Sequence, residues 1–354
     1  MSQFWNRKVH DLQPYVPGEQ PRMATLIKLN TNESPYGPSP RALEAIKASA
    51  DDRLRLYPDP AALALCTAIA EQEQVPVECI FAGNGSDEVL AHAFQALFRN
   101  DAPILFSDVT YGFYPIYCQM FGLEYRTIPL RDDFTIAVED YEGPAGGIII
   151  ANPNANTGIG LPVSAIESLL KRFTTQTVII DEAYVDFGGK SVVPLTQRYP
   201  NLLVTRTFSK SSGLAGLRVG YAIGSPELIE GLIRVKDSFN SYPLSRPAQA
   251  GAEASVRDKA WLEQTVGRII ATRDRTVTAL RERGLKVLPS VGNFILVHHP
   301  DCSSDTLFNA LRERAIIVRH QGSSPRISDW LRITIGSDEE MDALLKALDE
   351  ILSL

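Results

Sequence analysis

Residues 207–224 read TFSKSSGLAGLRVGYAIG. One lysine, Lys210, is followed by small residues, and the next basic side chain, Arg218, comes eight positions later. A surface helix would place good helix formers between its charges, whereas Ser211, Ser212, Gly213 and Gly216 leave room for something else. The β-rich run NLLVT (201–205) lies just upstream, so Lys210 follows a predicted strand, and RVGYAI (218–223) reads as the next one.

Working outward, helical patterns alternate with short β-rich runs from about Ala61 to Gly224. The runs are APILF (102–106), GGIIIA (146–151), TVIID (177–181), NLLVT and RVGYAI. LALCTAIAEQ (63–72) and SDEVLAHAFQALF (86–98) carry apolar residues at helical spacing and would cover a sheet. The alternation predicts an α/β fold, with a mostly parallel sheet flanked by helices, and ligand contacts beyond the strand C-termini. After Tyr242 a single long helix is predicted over 247–283. It leads into β-rich and helical runs that predict a smaller α+β domain. The expected division is 1–50, a segment packing on the small domain and cleft; 51–242, the large domain; and 243–354, the linking helix and small domain.

The chain has 354 residues, 44% hydrophobic and 22% charged, with no apolar run long enough to span a membrane. Its opening lacks the basic, apolar, small-residue order of a signal peptide, so a cytoplasmic location is expected. Cys66, Cys79, Cys118 and Cys302 are scattered, without C-x-x-C spacing or a histidine cluster, which indicates reduced thiols and no metal site. A net charge of −7 without a basic block gives no footprint for nucleic acid. A small anionic ligand would have to be caught by a few placed arginines.

Asp181 ends the apolar run TVIID, where a carboxylate has lost water and needs a cation or several hydrogen bonds. Taken alone, Asp181 reads as a helix cap or structural ion pair and Lys210 as a surface lysine. Following neighbouring strands, the two point into one crevice. A lysine and an aspartate facing across a ring is what pyridoxal 5'-phosphate requires: the lysine forms a Schiff base and the carboxylate keeps the pyridine nitrogen protonated. GNGSDE places Gly85, Ser86 and Asp87 at a glycine turn entering a helix, which suits a phosphate, and Arg218 would close the other side with a charge-assisted fork. GNGSDE alone is a weak signal, since such caps begin many helices. Its combination with Asp181, Lys210 and Arg218 in this order is much stronger.

With these residues in hand, the sequence resembles the fold type I pyridoxal-phosphate aminotransferases, and within them the histidinol-phosphate aminotransferases. The resemblance covers nearly the whole chain: LQPYVPGE, KLNTNESPYGPSP, LYPDP, GNGSDE, YGFY, ANPNANTG, DEAYVDF, TFSKSSGLAGLRVGY, NSYPL, IIVRH and LRITIG. It implies that Lys210 is the Schiff-base lysine and the proton shuttle between Cα and C4′, and that Asp181 pairs with the ring nitrogen. Tyr184 would bond the phenolic oxygen and lower the imine pKa, and Tyr111 would stack on the ring. Ser209 and Arg218, with Thr207 beside them, would hold the cofactor phosphate. Tyr57 matches a tyrosine that reaches the phosphate of a neighbouring subunit, which implies a homodimer with shared active sites. NPNANTG departs from the related NPNNPTG and NPNAPTG, with Asn156 in place of proline. The asparagine touching the phenolic oxygen is Asn154 by alignment, with Asn156 as the substitute.

The resemblance also implies transamination between L-histidinol phosphate and 2-oxoglutarate, giving imidazole-acetol phosphate and L-glutamate. One site must then hold a phosphate and a carboxylate in turn. Arg319 and Arg332 match the arginines that do so, Tyr15 matches a tyrosine enclosing the substrate, and Asn32 and Glu33 line the same cleft. Alternative readings on this architecture are an aromatic amino-acid aminotransferase and a threonine-phosphate decarboxylase. From other classes come a non-catalytic binding or regulatory protein that kept the scaffold and a dinucleotide-dependent oxidoreductase. The last lacks its fingerprint, because Glu88 stands where G-x-G-x-x-G needs the third glycine.

Overall fold

The computed structural model describes residues 3–16, 18–20, 26–322 and 324–353, so Pro17 of the LQPYVPGE motif lies outside it. Thirteen strands occur among the described residues: β1 (Ile27–Lys28), β2 (Ile80–Gly83), β3 (Ile104–Ser107), β4 (Tyr125–Ile128), β5 (Gly147–Ala151), β6 (Val178–Asp181), β7 (Leu202–Thr207), β8 (Gly220–Ile223), β9 (Lys286–Val287), β10 (Phe294–His298), β11 (Ile316–Ile317), β12 (Arg319–His320) and β13 (Leu331–Thr334). Seven form one sheet in the order β2-β8-β7-β6-β5-β3-β4. The five from β7 to β4 run parallel, and β8 is antiparallel to both its neighbours.

The parallel strands are apolar on both faces because helices cover both. Ile149, Ile179 and Leu203 enter one buried cluster, while Ile148, Ile150, Val178, Ile180, Leu202 and Val204 enter another, as the twofold strand period dictates. Each such side chain contributes roughly 1.5–3 kcal/mol by leaving water. The same burial makes a charge at the strand end conspicuous, and Asp181 is the last residue of β6.

The strand expected over 218–223 is present as β8, but it is the antiparallel member. Its connection from β7 contains only the short turn Ala215–Leu217 and no crossover helix, so the chain reverses directly. That loop carries Lys210. The single helix expected over 247–283 is two, Arg246–Arg257 and Lys259–Glu282, broken at Asp258. No glycine or proline marks the break; the Asp258 carboxylate instead accepts a hydrogen bond from Ser39 Oγ, far away in sequence.

A four-stranded antiparallel sheet, β12-β13-β10-β9, forms the C-terminal layer. The opening segment joins it: β1 pairs in parallel with β11, Leu29 N donates to Ile317 O at 2.7 Å, and Thr334 N donates to Leu29 O at 2.9 Å. Residues 30–33 are thereby carried over the C-terminal ends of the large sheet, where Thr31 meets Lys210.

Candidate active site

Parallel register sets Asp181 beside Ala151 on one side and Thr205 on the other. Its carboxylate is 5% exposed and accepts hydrogen bonds from Tyr114 Oη (2.9 Å), Thr205 Oγ1 (3.3 Å) and Ala183 N (3.3 Å). Burial pushes its pKa up to about 6; these bonds pull it down without restoring the usual value, and the Asp87 charge adds to the rise. Among the described residues no cation forms an ion pair with it, so the site is short of one positive charge.

That deficit predicts a stability effect. The folded pKa lies above the unfolded one, so the carboxyl contributes stability below about pH 4 that is lost as pH rises through about 6. Asp181→Asn is expected to stabilise the ligand-free protein above pH 6 by up to about 3 kcal/mol, with the gain vanishing near pH 4. Urea titrations of both proteins at several pH values check this.

Lys210 Nζ donates to Thr31 O at 3.0 Å and sits 5.6 Å from the Tyr184 ring centroid. One of the loop's small residues has a packing reason. Gly213 adopts φ +66°, and a Cβ there would stand 2.9 Å from Tyr36 O of the opening segment. Asn32, itself buried in a left-handed conformation (φ 56°), donates from Nδ2 to Tyr184 Oη at 3.0 Å. The Tyr184 hydroxyl proton is thus left to be donated elsewhere.

Gly85 opens the helix Gly85–Leu97 with φ +78°, and a Cβ there would lie 2.5 Å from Arg218 Nη2. A Cβ on Gly220 would lie 2.3 Å from Ser86 N. These two glycines let the guanidinium and β8 lie against the helix N-terminus. Arg218 Nη2 donates to Asp87 Oδ2 at 2.8 Å, and Tyr111 Oη to Asp87 Oδ1 at 2.7 Å. Burial and Asp87 push the Tyr111 pKa well above the usual range, so it remains a neutral donor. Ser86, Asp87, Tyr111, Asp181, Tyr184, Thr207, Ser209, Lys210 and Arg218 line one cavity of about 110 Å³. Hydroxyls, a helix N-terminus and an arginine on its wall make an anion cradle.

A second cavity of about 570 Å³ shares Tyr111, Ala155, Tyr184 and Lys210 with the first and extends outward to Tyr15, Arg319 and Arg332. Tyr15 stacks on Phe113 at 4.4 Å between ring centroids. Arg332 Nη1 donates to Ala155 O at 3.1 Å and Nη2 to Asn30 O at 3.3 Å, while its enclosed Nε has no partner. Burial lowers its pKa, and the neighbouring Arg319 charge adds to this. An arginine stays protonated under such pressure, so two guanidinium groups, neither ion-paired among the described residues, share one cavity.

Four residues singled out from sequence are arranged differently. Asn154 is buried with its amide engaged, Nδ2 donating to Val109 O at 2.8 Å and Oδ1 accepting from Asn156 N and Thr157 N. Ala155 faces the cavities instead; Asn156 lines the outer one and donates from Nδ2 to Gln321 Oε1 at 3.1 Å. Asn32 lines neither cavity, and nor does Glu33. Burial pushes its pKa up, but bonds from Lys28 and Thr31 win, and the net shift is down. Tyr57 is 78% exposed and stacks on Tyr242, outside this cleft. Sequence reasoning missed Tyr114 and Thr205, although the second tyrosine of YGFY and the polar residue that closes NLLVT were visible signals.

A model of aminotransferase class I and II matches residues 24–348, and the chain belongs to that family. Its fold is that of the fold type I enzymes. Among relatives, it is 64% identical over 353 residues to histidinol-phosphate aminotransferase 2 of Gluconobacter oxydans (strain 621H), covering 100% of this chain and 99% of that one. Histidinol-phosphate aminotransferase 2 of Rhizobium meliloti (strain 1021) is 58% identical, covering 99% and 100%. The crystal structure of histidinol-phosphate aminotransferase from Sinorhizobium meliloti in complex with pyridoxal-5'-phosphate superimposes with a TM-score of 0.89 at 26% identity, covering 100% of this chain and 98% of that one. Among the described residues no helix is long and apolar enough to cross a membrane, and no cluster of His, Cys, Asp and Glu is suited to a metal.

Proposed function

We infer that this chain uses pyridoxal 5'-phosphate to transaminate L-histidinol phosphate with 2-oxoglutarate, giving imidazole-acetol phosphate and L-glutamate. The observation that carries this reading is a pair of cavities sharing Lys210 and Tyr184, one lined by a buried Asp181 and the other by two guanidinium groups, none of the three ion-paired among the described residues. The residues fit the cofactor on two counts: its ring nitrogen would supply the positive charge Asp181 lacks, and Ser86, Ser209 and Arg218 would hold its phosphate. When bound, it supplies an electron-withdrawing ring that stabilises negative charge at the substrate Cα and carries the amino group between half-reactions.

The residues divide the work. Asp181 would hold the ring N–H through a carboxylate oxygen, and Tyr114 and Thr205 keep that carboxylate oriented. Tyr184, fixed by Asn32, would donate its hydroxyl proton toward the phenolic oxygen, with Asn156 in the lining of the outer cavity. Tyr111, anchored on Asp87, would cover the ring face, and Thr207 supports the Ser209 backbone at 3.1 Å. Lys210 Nζ takes the proton from the substrate Cα and later returns one. Arg332 and Arg319 hold the histidinol-phosphate phosphate and the glutamate carboxylate in turn, and Tyr15 encloses the substrate.

The same reading includes a cytoplasmic homodimer, with exposed Tyr57 reaching the partner's cofactor phosphate. A fully active monomer in solution would contradict it. It also divides the chain at about residues 50 and 242, as expected from sequence, in keeping with the placement of the two main sheets. The activity is tested by glutamate formation from 2-oxoglutarate with L-histidinol phosphate or L-phenylalanine as donor. The reading expects kcat/KM at least about 10²-fold higher for the former, because a phosphate can engage donors of both guanidinium groups where the single carboxylate of phenylalanine engages fewer. A preference for phenylalanine would replace it with an aromatic aminotransferase.

A further inference from the structure

Arg326 lines neither cavity, yet it ties together two segments that do. On one side are Ser324 and Pro325, which wall the outer cavity just before it in sequence. On the other are Asp108, Val109 and Thr110, which follow β3 and wall the same cavity. Arg326 Nη1 donates to Asp108 Oδ2 at 3.2 Å and to Leu130 O at 2.5 Å, and Nη2 donates to Arg131 O at 3.0 Å. Its guanidinium lies 5.9 Å from the Phe134 ring centroid. Asp108 is held from elsewhere too, Oδ1 accepting from Leu130 N at 2.9 Å. Beneath the clasp, Ile327 and Trp330 pack with Val109 and Leu130 in a small buried cluster of their own.

We propose that Arg326 is a positioning residue for the substrate end of the cleft. Its planar fork meets three acceptors on the large-domain side and sets the spacing between the two cavity walls without touching the reacting atoms. This rests on the reading above that the outer cavity takes the anionic amino substrate. A clasp of this kind governs how tightly the substrate is gripped, while Lys210, Asp181 and the anion cradle stay as they are.

Two measurements on Arg326→Ala test the proposal. In the cofactor-loaded enzyme, KM for both substrates is expected to rise about 10-fold or more, the scale on which small misplacements of a binding wall act. The kcat should change little, and the visible cofactor absorbance should not change. In the ligand-free chain, amide hydrogen exchange should quicken in residues 108–112 and 324–331 and hold steady in 178–184 and 205–218. Should the alanine variant not fold, Arg326→Lys is expected to move the same quantities less, since one ammonium cannot meet three acceptors in a plane.

Unchanged exchange in the two wall segments, or a fall in kcat with KM held, would overturn the proposal. The exchange measurement needs no substrate. Wild-type inactivity toward L-histidinol phosphate would therefore count against the substrate reading and leave the clasp to stand or fall on exchange alone.

Discussion

Replacing Lys210 with alanine is expected to reduce transamination by at least about 10³-fold, since a positioned general base alone contributes roughly 10²–10⁴ and the covalent role proposed for it would go too. The fold should survive. Lys210 Nζ makes a single hydrogen bond, to Thr31 O, and forms no ion pair among the described residues. The variant should therefore unfold at nearly the wild-type urea concentration while showing no turnover. Substantial turnover by a folded Lys210→Ala protein would remove the lysine from the chemistry.

The second large effect is expected at Arg332. Its side chain is half-buried, its Nε is enclosed and unpartnered, and its two hydrogen bonds go to the carbonyls of Ala155 and Asn30. A guanidinium so placed contributes little to the resting fold and much to an incoming anion. Breaking such a hydrogen-bonded charge pair costs roughly 2–5 kcal/mol, so Arg332→Ala is expected to lower kcat/KM by about 10²–10³-fold for both histidinol phosphate and glutamate. Loss with only one of the two would assign Arg332 to that substrate alone. Inorganic phosphate gives a readout without turnover: it should raise the melting temperature of the wild type more than that of the variant.

Much of the site was legible because the chemistry sits where apolar strands stop. Asp181 closes a run of buried β-branched residues and Lys210 follows the next strand, so parallel order brings both to one end of the sheet. The nine residues lining the inner cavity named above all stood in motifs visible in the sequence. Pairing was harder to read. Thr205 supports Asp181 only because β6 and β7 lie in that register, and Tyr114 reaches the same carboxylate from a helix far upstream. The direction of β8 depends on whether twelve loop residues hold a crossover helix or a tight return, which small residues do not announce. The break at Asp258 answers to Ser39, a contact no local pattern contains. Asn154 illustrates the limit of alignment by residue type: its amide oxygen is engaged by its own turn and its amide nitrogen by Val109 O, and the backbone turns Ala155 toward the cleft.

The central claim is that this cleft binds pyridoxal 5'-phosphate through Lys210 and passes an amino group from histidinol phosphate. The most direct measurement is the visible absorbance of the purified protein with pyridoxal 5'-phosphate, titrated with L-histidinol phosphate and, separately, with L-phenylalanine. The account predicts a protein-bound visible band that Lys210→Ala lacks and that histidinol phosphate bleaches at far lower concentration than phenylalanine. No such band after adding the cofactor, or a band that phenylalanine removes first, would contradict it.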